Sequence, residues 1–172
     1  MNVMKTGETW LRANIVKWGI PSGIAASFFY LALQPDLRAA VPLLVGVTGA
    51  VTLLLALALH GAENGTVGWS PGFILAVALL LRLPFLIRPA ELSDDIYRYL
   101  WDGLQTLAGS NPYAAAPANI HPAAAAEGVR RLVNHAELVT IYPPAAQLLF
   151  AAGALLGKGV LGIKAFLTIL DL

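Results

Sequence analysis

The sequence has no cysteine and few charged side chains. Charged residues make up only 12% of the 172 residues. Without cysteine, the chain forms neither a disulfide framework nor a thiolate metal site. The formal net charge is only +1, so no broad basic surface favours nucleic acid as a partner.

Apolar residues, by contrast, are abundant and occur in long runs. They make up 58% of the chain, and the mean hydropathy is +0.69. Runs of this kind are typical of transmembrane helices. We therefore expect an all-α, multi-pass transmembrane fold. The predicted spans cover about residues 19–33, 39–59, 69–87 and 141–157, and a fifth apolar stretch starts within 160–172.

The last apolar stretch is short. It ends after 13 residues, whereas a helix needs about 20 residues to cross a bilayer. We therefore expect residues 1–172 to be the N-terminal part of one membrane domain in a larger protein. A genuinely short protein is the alternative.

The polar segment 88–140 separates the third and fourth predicted spans. Its side of the membrane is predicted from the first helix, which Lys5, Arg12 and Lys17 precede. A basic flank on the N-terminal side favours a cytoplasmic N-terminus. The first 18 residues are then a cytoplasmic tail with an interfacial helix, and 88–140 is an extracytoplasmic loop of a cell-membrane protein.

The start of the polar segment predicts a helix beside the membrane. Ser93 is a suitable N-cap, and Gly109 a suitable end. Tyrosine and Trp101, interleaved with charged residues, suit a helix on the membrane surface. Helical spacing places Asp95, Arg98, Tyr99 and Asp102 on one face.

The adjacent carboxylates of Asp94 and Asp95 have two interpretations. Acidic residues in a first helical turn interact favourably with the helix dipole and need no catalytic role. Two neighbouring carboxylates also disfavour double ionisation, and a carboxylate tuned in this way serves as a general base.

The arginines likewise have two interpretations each. Arg98 is either the ion-pair partner of Asp95 or Asp102, or a clamp for phosphate, whose geometry a guanidinium matches. Arg82, near the end of the third predicted span, either extends toward the interface or binds a lipid phosphate.

The rest of the polar segment carries weaker signals. His121 and His135 do not have the spacing of metal ligands, and we interpret them as exposed loop residues. Asn111-Pro112-Tyr113 predicts a turn, and Tyr142-Pro143-Pro144 suits the first turn of a helix. The segment has no glycine-rich phosphate loop and no nucleophile elbow.

Three motifs in this order carry a family resemblance. They are SDDIYRYLWDG, GSNPYAAAP and NHAELVTIYPPAAQLLF. The series resembles the first large extracytoplasmic loop of the integral membrane glycosyltransferases of superfamily C, in particular the bacterial polyprenol-phosphate-mannose-dependent mannosyltransferases. The resemblance covers about residues 81–150, and each motif alone is weak.

The resemblance implies an inverting transfer of a hexose, with mannose favoured, from a polyprenyl-phosphate sugar donor to a glycan or lipid-linked acceptor. It places the general base on Asp95, with Asp94 as the fallback. Asp102 becomes a supporting acid, and Arg98 and Arg82 become candidate substrate-binding residues. Asn111, Tyr113 and Tyr142 shape the pocket. The scheme calls for no cofactor and no metal.

A non-catalytic membrane module is the competing hypothesis. A truncated fragment, a transporter piece or an assembly partner would also have several apolar helices. Transporters usually place their ionisable groups at mid-membrane, whereas the acidic residues here concentrate in 88–140. This distribution favours the enzyme.

Overall fold

The computed structural model describes residues 2–121, 124–157 and 159–172, with side chains described from Asn14 onward except at 124 and 125. Within these residues the chain is helical, without strands. This confirms the predicted all-α class. The chain divides into two compact units, Met1–Arg88 and Pro89–Leu172.

The first unit contains three long helices. They are α1 (Asn2–Ala32), α2 (Val41–Glu63) and α3 (Pro71–Ile87). Helix α1 packs on both α2 and α3, and the buried contact includes Ile20, Ile24 and Leu81. Trp18 meets Phe73 edge to face with ring centroids 5.9 Å apart.

Helix α1 differs from the prediction in length. The predicted tail and first span form one helix, in which 14–32 is apolar and long enough to cross a membrane. The predicted orientation depends on Lys5 and Arg12, whose side chains are not among those described. Among the described residues, α2 is the second helix of sufficient length and apolar character.

The second unit is built around α4 (Asp95–Leu107). This helix packs against α5 (Ala124–Arg130), α6 (Pro144–Leu156) and α7 (Val160–Asp171). The core joins Leu100 of α4 to Ala154 of α6 and Ile163 of α7. Trp101 is only 1% exposed. Protein therefore surrounds this indole, while the position of α4 on the membrane surface stays a prediction.

Helix α4 ends at a glycine and two capping hydrogen bonds. Gly109 has a φ of +75°, a left-handed conformation that glycine adopts without steric cost. The amides of Gly109 and Ser110 donate to the carbonyls of Thr106 and Gln105, respectively. This pair of bonds is a Schellman motif, which satisfies carbonyls at a helix C-terminus. The structure confirms the predicted end of the helix.

The short helix α5 carries a surface ion cluster. Arg130 donates two hydrogen bonds to Glu127, and Arg131 donates a third. These bonds hold the pKa of Glu127 down at about 2. Glu127 is therefore ionised at neutral pH and ties together the last turn of α5.

Helices α6 and α7 are shorter than a membrane span. The predicted fourth span, 141–157, is a helix of only 13 residues because Pro143 precedes its first turn and Gly157 follows its last. Helix α7 has 12 residues and lies at 116° to α6. At 1.5 Å per residue, each is roughly 20 Å long, less than the ~30 Å hydrocarbon core. The pair has the form of a broken span or a re-entrant loop.

Candidate active site

A small pocket with both charged and apolar lining residues lies beside the first two turns of α4. Its volume is about 100 Å³. One wall is α4, and the other is the chain leading to α6. We call it the Asp95 pocket, and its lining comprises Asp95, Arg98, Asn134, His135, Leu138, Val139, Ile141 and Tyr142.

Asp95 stands at the first position of α4, where two neighbours fix it. Its backbone amide donates to the Ser93 hydroxyl at 3.2 Å, which satisfies one of the amide groups left unpaired at a helix start. Its carboxylate oxygen Oδ1 accepts a hydrogen bond of 2.7 Å from Asn134 Nδ2. The side chain is half-buried, so it combines a fixed orientation with access to the pocket.

Asp94 occupies the cap position just before α4. Its backbone is already in the helical region, and its side chain makes no capping hydrogen bond. It is exposed and does not line the Asp95 pocket. The geometry therefore separates the two adjacent carboxylates and favours Asp95 as the group facing the pocket.

Arg98 lies one turn after Asp95 and is 5% exposed. Its Nε donates to Asp102 Oδ1 at 3.0 Å, and its Nη1 donates to the Leu138 carbonyl at 3.1 Å. Its Nη2 is buried, and no hydrogen-bond partner for it lies among the described residues. Buried polar groups are normally paired, and an exception calls for an explanation. The guanidinium thus has donor capacity beyond its two protein contacts.

Asp102 lies beneath Arg98 and is 1% exposed. Both of its carboxylate oxygens are engaged, because Gln147 Nε2 reaches Oδ2 at 3.3 Å while Arg98 binds Oδ1. Gln147 also donates to the Thr140 hydroxyl at 3.1 Å. This buried network connects α4 to α6 and to the chain before α6. In this position Asp102 contacts Arg98, which lines the pocket, and does not line the pocket itself.

The close approach of α4 and α6 depends on Gly103. A Cβ at this position would lie 2.6 Å from the carbonyl carbon of Phe150 and 3.1 Å from the amide nitrogen of Ala151. Side-chain carbon atoms essentially never approach a backbone this closely. Gly103 thus brings the two helices together at the level where Asp102 meets Gln147.

Aromatic rings close the side of the site next to α6. The Tyr99 ring stacks on Phe150 with centroids 4.5 Å apart, and Tyr142 meets both rings edge to face. Such arrangements are the favoured geometries of aromatic pairs. They fix Tyr142 at the rim of the Asp95 pocket.

The Asn111-Pro112-Tyr113 segment forms the predicted turn. Asn111 Oδ1 accepts from the Tyr113 amide at 3.0 Å, a side-chain-to-backbone bond typical of asparagine in turns. The Tyr113 hydroxyl then donates to the carbonyl of Tyr142. The second and third sequence motifs are therefore joined, and both residues support the rim of the pocket.

The remaining sequence-predicted residues have other surroundings. Arg82 belongs to the first unit, where its Nη1 donates to the Ala78 carbonyl at 2.9 Å; its substrate-binding role stays a prediction. His121 is exposed. His135 is exposed as expected, yet it also lines the pocket. In the described ranges, no group of three His, Asp or Glu residues is placed to hold a metal ion.

Sequence reasoning missed several residues of the site. Asn134 donates a hydrogen bond to Asp95, and Gln147 donates one to Asp102. The Leu138 carbonyl accepts from Arg98, and the Thr140 hydroxyl accepts from Gln147. All four lie in the third motif, NHAELVTIYPPAAQLLF. That motif was the available signal, but nothing in it showed which side chain faces which aspartate.

Comparison with known proteins identifies a family. A protein-family model described as alpha-(1->6)-mannopyranosyltransferase, N-terminal domain, of the MptA_B family, matches residues 21–165. The match covers most of the chain and includes the whole Asp95 pocket. No curated protein and no solved structure matches the chain significantly.

Proposed function

The chain belongs to the MptA_B family of alpha-(1->6)-mannopyranosyltransferases, as their N-terminal domain, and we propose that its Asp95 pocket is where the sugar is transferred. The family membership makes this a glycosyltransferase chain of the mannosyltransferase type. The proposal adds the donor, the stereochemical course and the residues. It takes the donor to be a polyprenyl-phosphate hexose, with mannose favoured, and the acceptor to be a glycan or a lipid-linked glycan.

One observation carries the proposal. Asp95 and Arg98 lie one helical turn apart and both line the same pocket. A carboxylate and a guanidinium so close together meet two needs of the reaction, a proton acceptor and a positive charge. The carboxylate suits the acceptor hydroxyl, which must lose a proton, and the guanidinium suits a phosphate leaving group.

The proposed reaction is a single displacement. The acceptor oxygen attacks the anomeric carbon and forms the new glycosidic bond. Its proton passes to the carboxylate of Asp95. The bond between the anomeric carbon and the phosphate oxygen breaks on the opposite side, and the polyprenyl phosphate leaves with the electron pair. Attack opposite the leaving group inverts the configuration at the anomeric carbon.

Arg98 is proposed to stabilise the departing phosphate. Asp102 and the Leu138 carbonyl fix two edges of its guanidinium, and Arg98 lines the pocket beside Asp95. Fixed donors directed at developing negative charge contribute strongly to catalysis. Leu138, Val139, Ile141 and Tyr142 would supply the apolar side of the pocket.

The proposed location is the extracytoplasmic side of the cell membrane. Two apolar helices of spanning length support a membrane position. We further propose that α3, an apolar helix of 17 residues, makes a third crossing. A cytoplasmic N-terminus then puts residues 88–140 on the opposite side, where donor and acceptor would meet the pocket. Membrane lipid surrounds the apolar helices in this arrangement.

The decisive experiment replaces Asp95 with Asn in the full-length protein. Membranes containing each variant are given a radiolabelled polyprenyl-phosphate mannose and an oligomannoside acceptor. General-base catalysis contributes about 100- to 10,000-fold, so Asp95→Asn should reduce transfer by that order. Asp94→Asn, the adjacent control, should stay close to the unaltered protein.

Two results would contradict the proposal. Transfer retained by Asp95→Asn, in protein shown to be membrane-inserted, would remove Asp95 as the base. Loss of transfer in Asp94→Asn with activity in Asp95→Asn would move the role to the fallback residue.

A further inference from the structure

The hydrogen bond between Asn134 and Asp95 has no part in the displacement just described. It joins side chains 39 residues apart at 2.7 Å. An ionised carboxylate only accepts hydrogen bonds, so the amide NH₂ group must face Asp95. The contact therefore fixes both partners, the amide of Asn134 and the Oδ1 oxygen of Asp95.

The backbone around Asn134 is anchored on both sides. Before it, Val133 is 7% exposed, and its amide donates to the Arg130 carbonyl at 3.3 Å. After it, the Ala136 carbonyl accepts from the Ala118 amide at 2.8 Å. The position of Asn134 beside Asp95 is thus set by contacts that do not involve its own side chain.

The residue after Asn134 has an uncommon conformation. His135 has a φ of +48°, in the left-handed region that few residues other than glycine adopt. Its carbonyl accepts from the Leu138 amide at 3.0 Å, which closes a tight turn. Local backbone strain of this kind is common where a site must be held in one geometry.

We propose that Asn134 is a positioning residue that selects which oxygen of Asp95 acts as the base. By binding Oδ1, it leaves Oδ2 to take the proton from the acceptor hydroxyl. The product of that step has its O–H on Oδ2, while Oδ1 keeps its bond from the Asn134 amide. The inference rests on the proposed function, because it assigns a helper to the proposed base.

The expected loss of rate on replacing Asn134 follows from the sensitivity of catalysis to orientation. A carboxylate without its lateral bond rotates about the Cβ–Cγ bond and spends less time facing the acceptor. Misplacement of a reacting group by about 1 Å costs on the order of 100-fold in rate. Because the proposed role of Asn134 is to orient the base, its loss should lower kcat and leave the donor KM nearly unchanged.

The test compares three replacements in the full-length enzyme. Asn134→Leu keeps the size and removes the amide. Asn134→Asp keeps the shape and places a second carboxylate beside the first. Asn134→Gln keeps the amide on a longer side chain. Steady-state transfer from polyprenyl-phosphate mannose is measured for each, with Asn119→Leu, an exposed residue of the turn Pro117–Asn119, as the matched control.

The expected result separates kcat from KM. Asn134→Leu and Asn134→Asp should each lower kcat by about 10- to 100-fold, with donor KM changed less than about three-fold. Asn134→Gln should recover part of the loss, whereas Asn119→Leu should match the unaltered enzyme. Recovery by an amide indicates positioning, since a general loss of fold would affect the leucine and glutamine variants alike.

Each alternative result overturns a specific claim. A kcat within two-fold of the unaltered enzyme in Asn134→Leu or Asn134→Asp removes the positioning role, as does a loss that appears mainly in KM. If Asn134→Leu is not recovered folded, Asn134→Asp decides alone. Activity retained by Asp95→Asn removes the base and its helper together, whereas inactive Asp95→Asn with active Asn134→Leu removes only the helper.

Discussion

Arg98 and Asp102 form a buried ion pair across one turn of α4, with Nε and Oδ1 3.0 Å apart and side chains 6% and 1% exposed. The pair is the centre of the contacts that shape the Asp95 pocket. Through Leu138 it reaches the chain before α6, and through Gln147 it reaches α6 itself. Loss of this pair should therefore reduce both the stability of the second unit and the contribution of Arg98 to transfer.

Breaking this pair should destabilise the protein. Removal of one partner from a buried ion pair leaves an uncompensated charge and costs about 3–5 kcal/mol. Asp102→Ala should therefore lower the free energy of unfolding by that order, and Asp102→Asn, which keeps one acceptor, by less. Titration with SDS, followed by tryptophan fluorescence, measures the difference.

The combination Arg98→Met with Asp102→Leu is the control for this prediction. Replacing both partners with apolar residues removes the charge as well as the bond, so the loss should be smaller than in Asp102→Ala alone. An Asp102→Ala protein as stable as the unaltered one would contradict the account.

Arg98→Lys should impair transfer even though it keeps the positive charge. An ammonium is a compact charge without the planar fork of donors. It cannot maintain the contacts to Asp102 and Leu138 and also offer a separate donor to phosphate. We expect a reduction of about 100-fold in kcat, the size of effect seen when one transition-state donor is lost.

Arg131→Lys is the matched control, because Arg131 is 74% exposed and its ion pair with Glu127 lies at the surface. Its rate of transfer should equal that of the unaltered enzyme. Equal activity in the Arg98 and Arg131 variants would show that charge alone suffices at position 98.

Gly103→Ala should destabilise the contact between α4 and α6. The added methyl group would meet the backbone of Phe150, and overpacking of this kind typically costs about 1–3 kcal/mol. Gly128→Ala, on α5, meets nothing within 4 Å and should be neutral or slightly stabilising, since alanine favours helices. Thermal unfolding of both variants in the same detergent measures the contrast, and equal melting would refute the close approach.

The predicted orientation can be tested with introduced cysteines, because the chain has none of its own. Ser110→Cys, in the exposed turn after α4, should react with a membrane-impermeant maleimide on intact cells. Glu63→Cys, at the end of α2, should react only after permeabilisation. Labelling in the opposite order would place residues 88–140 in the cytoplasm and reverse the proposed side of transfer.

Features set by neighbouring residues could be predicted from the sequence. The start of α4 near Ser93 and its end at Gly109 follow from capping, and helix geometry limits the partner of Arg98 to Asp95 or Asp102. The turn at Asn111 is equally local. These predictions agree with the structure because each depends on fewer than about six consecutive residues.

The same reasoning could not predict contacts between residues that are far apart in the sequence. Asn134 lies 39 residues from Asp95, and Gln147 lies 45 residues from Asp102. Their pairing depends on how α4, α6 and the chain between them pack, which helical periodicity does not specify. The burial of Trp101 was missed for the same reason, since an aromatic side chain suits a lipid interface and a protein core equally well.

The contact at Gly103 also has a genetic consequence. When a larger residue collides with a side chain, a second mutation can shorten that side chain and restore growth. Here the obstacle is the peptide backbone of Phe150, which every amino acid possesses, so no substitution at 150 provides room. A screen for suppressors of a Gly103 mutant should therefore yield chiefly revertants to glycine. Proteins with this fold should also rarely have another amino acid at this position.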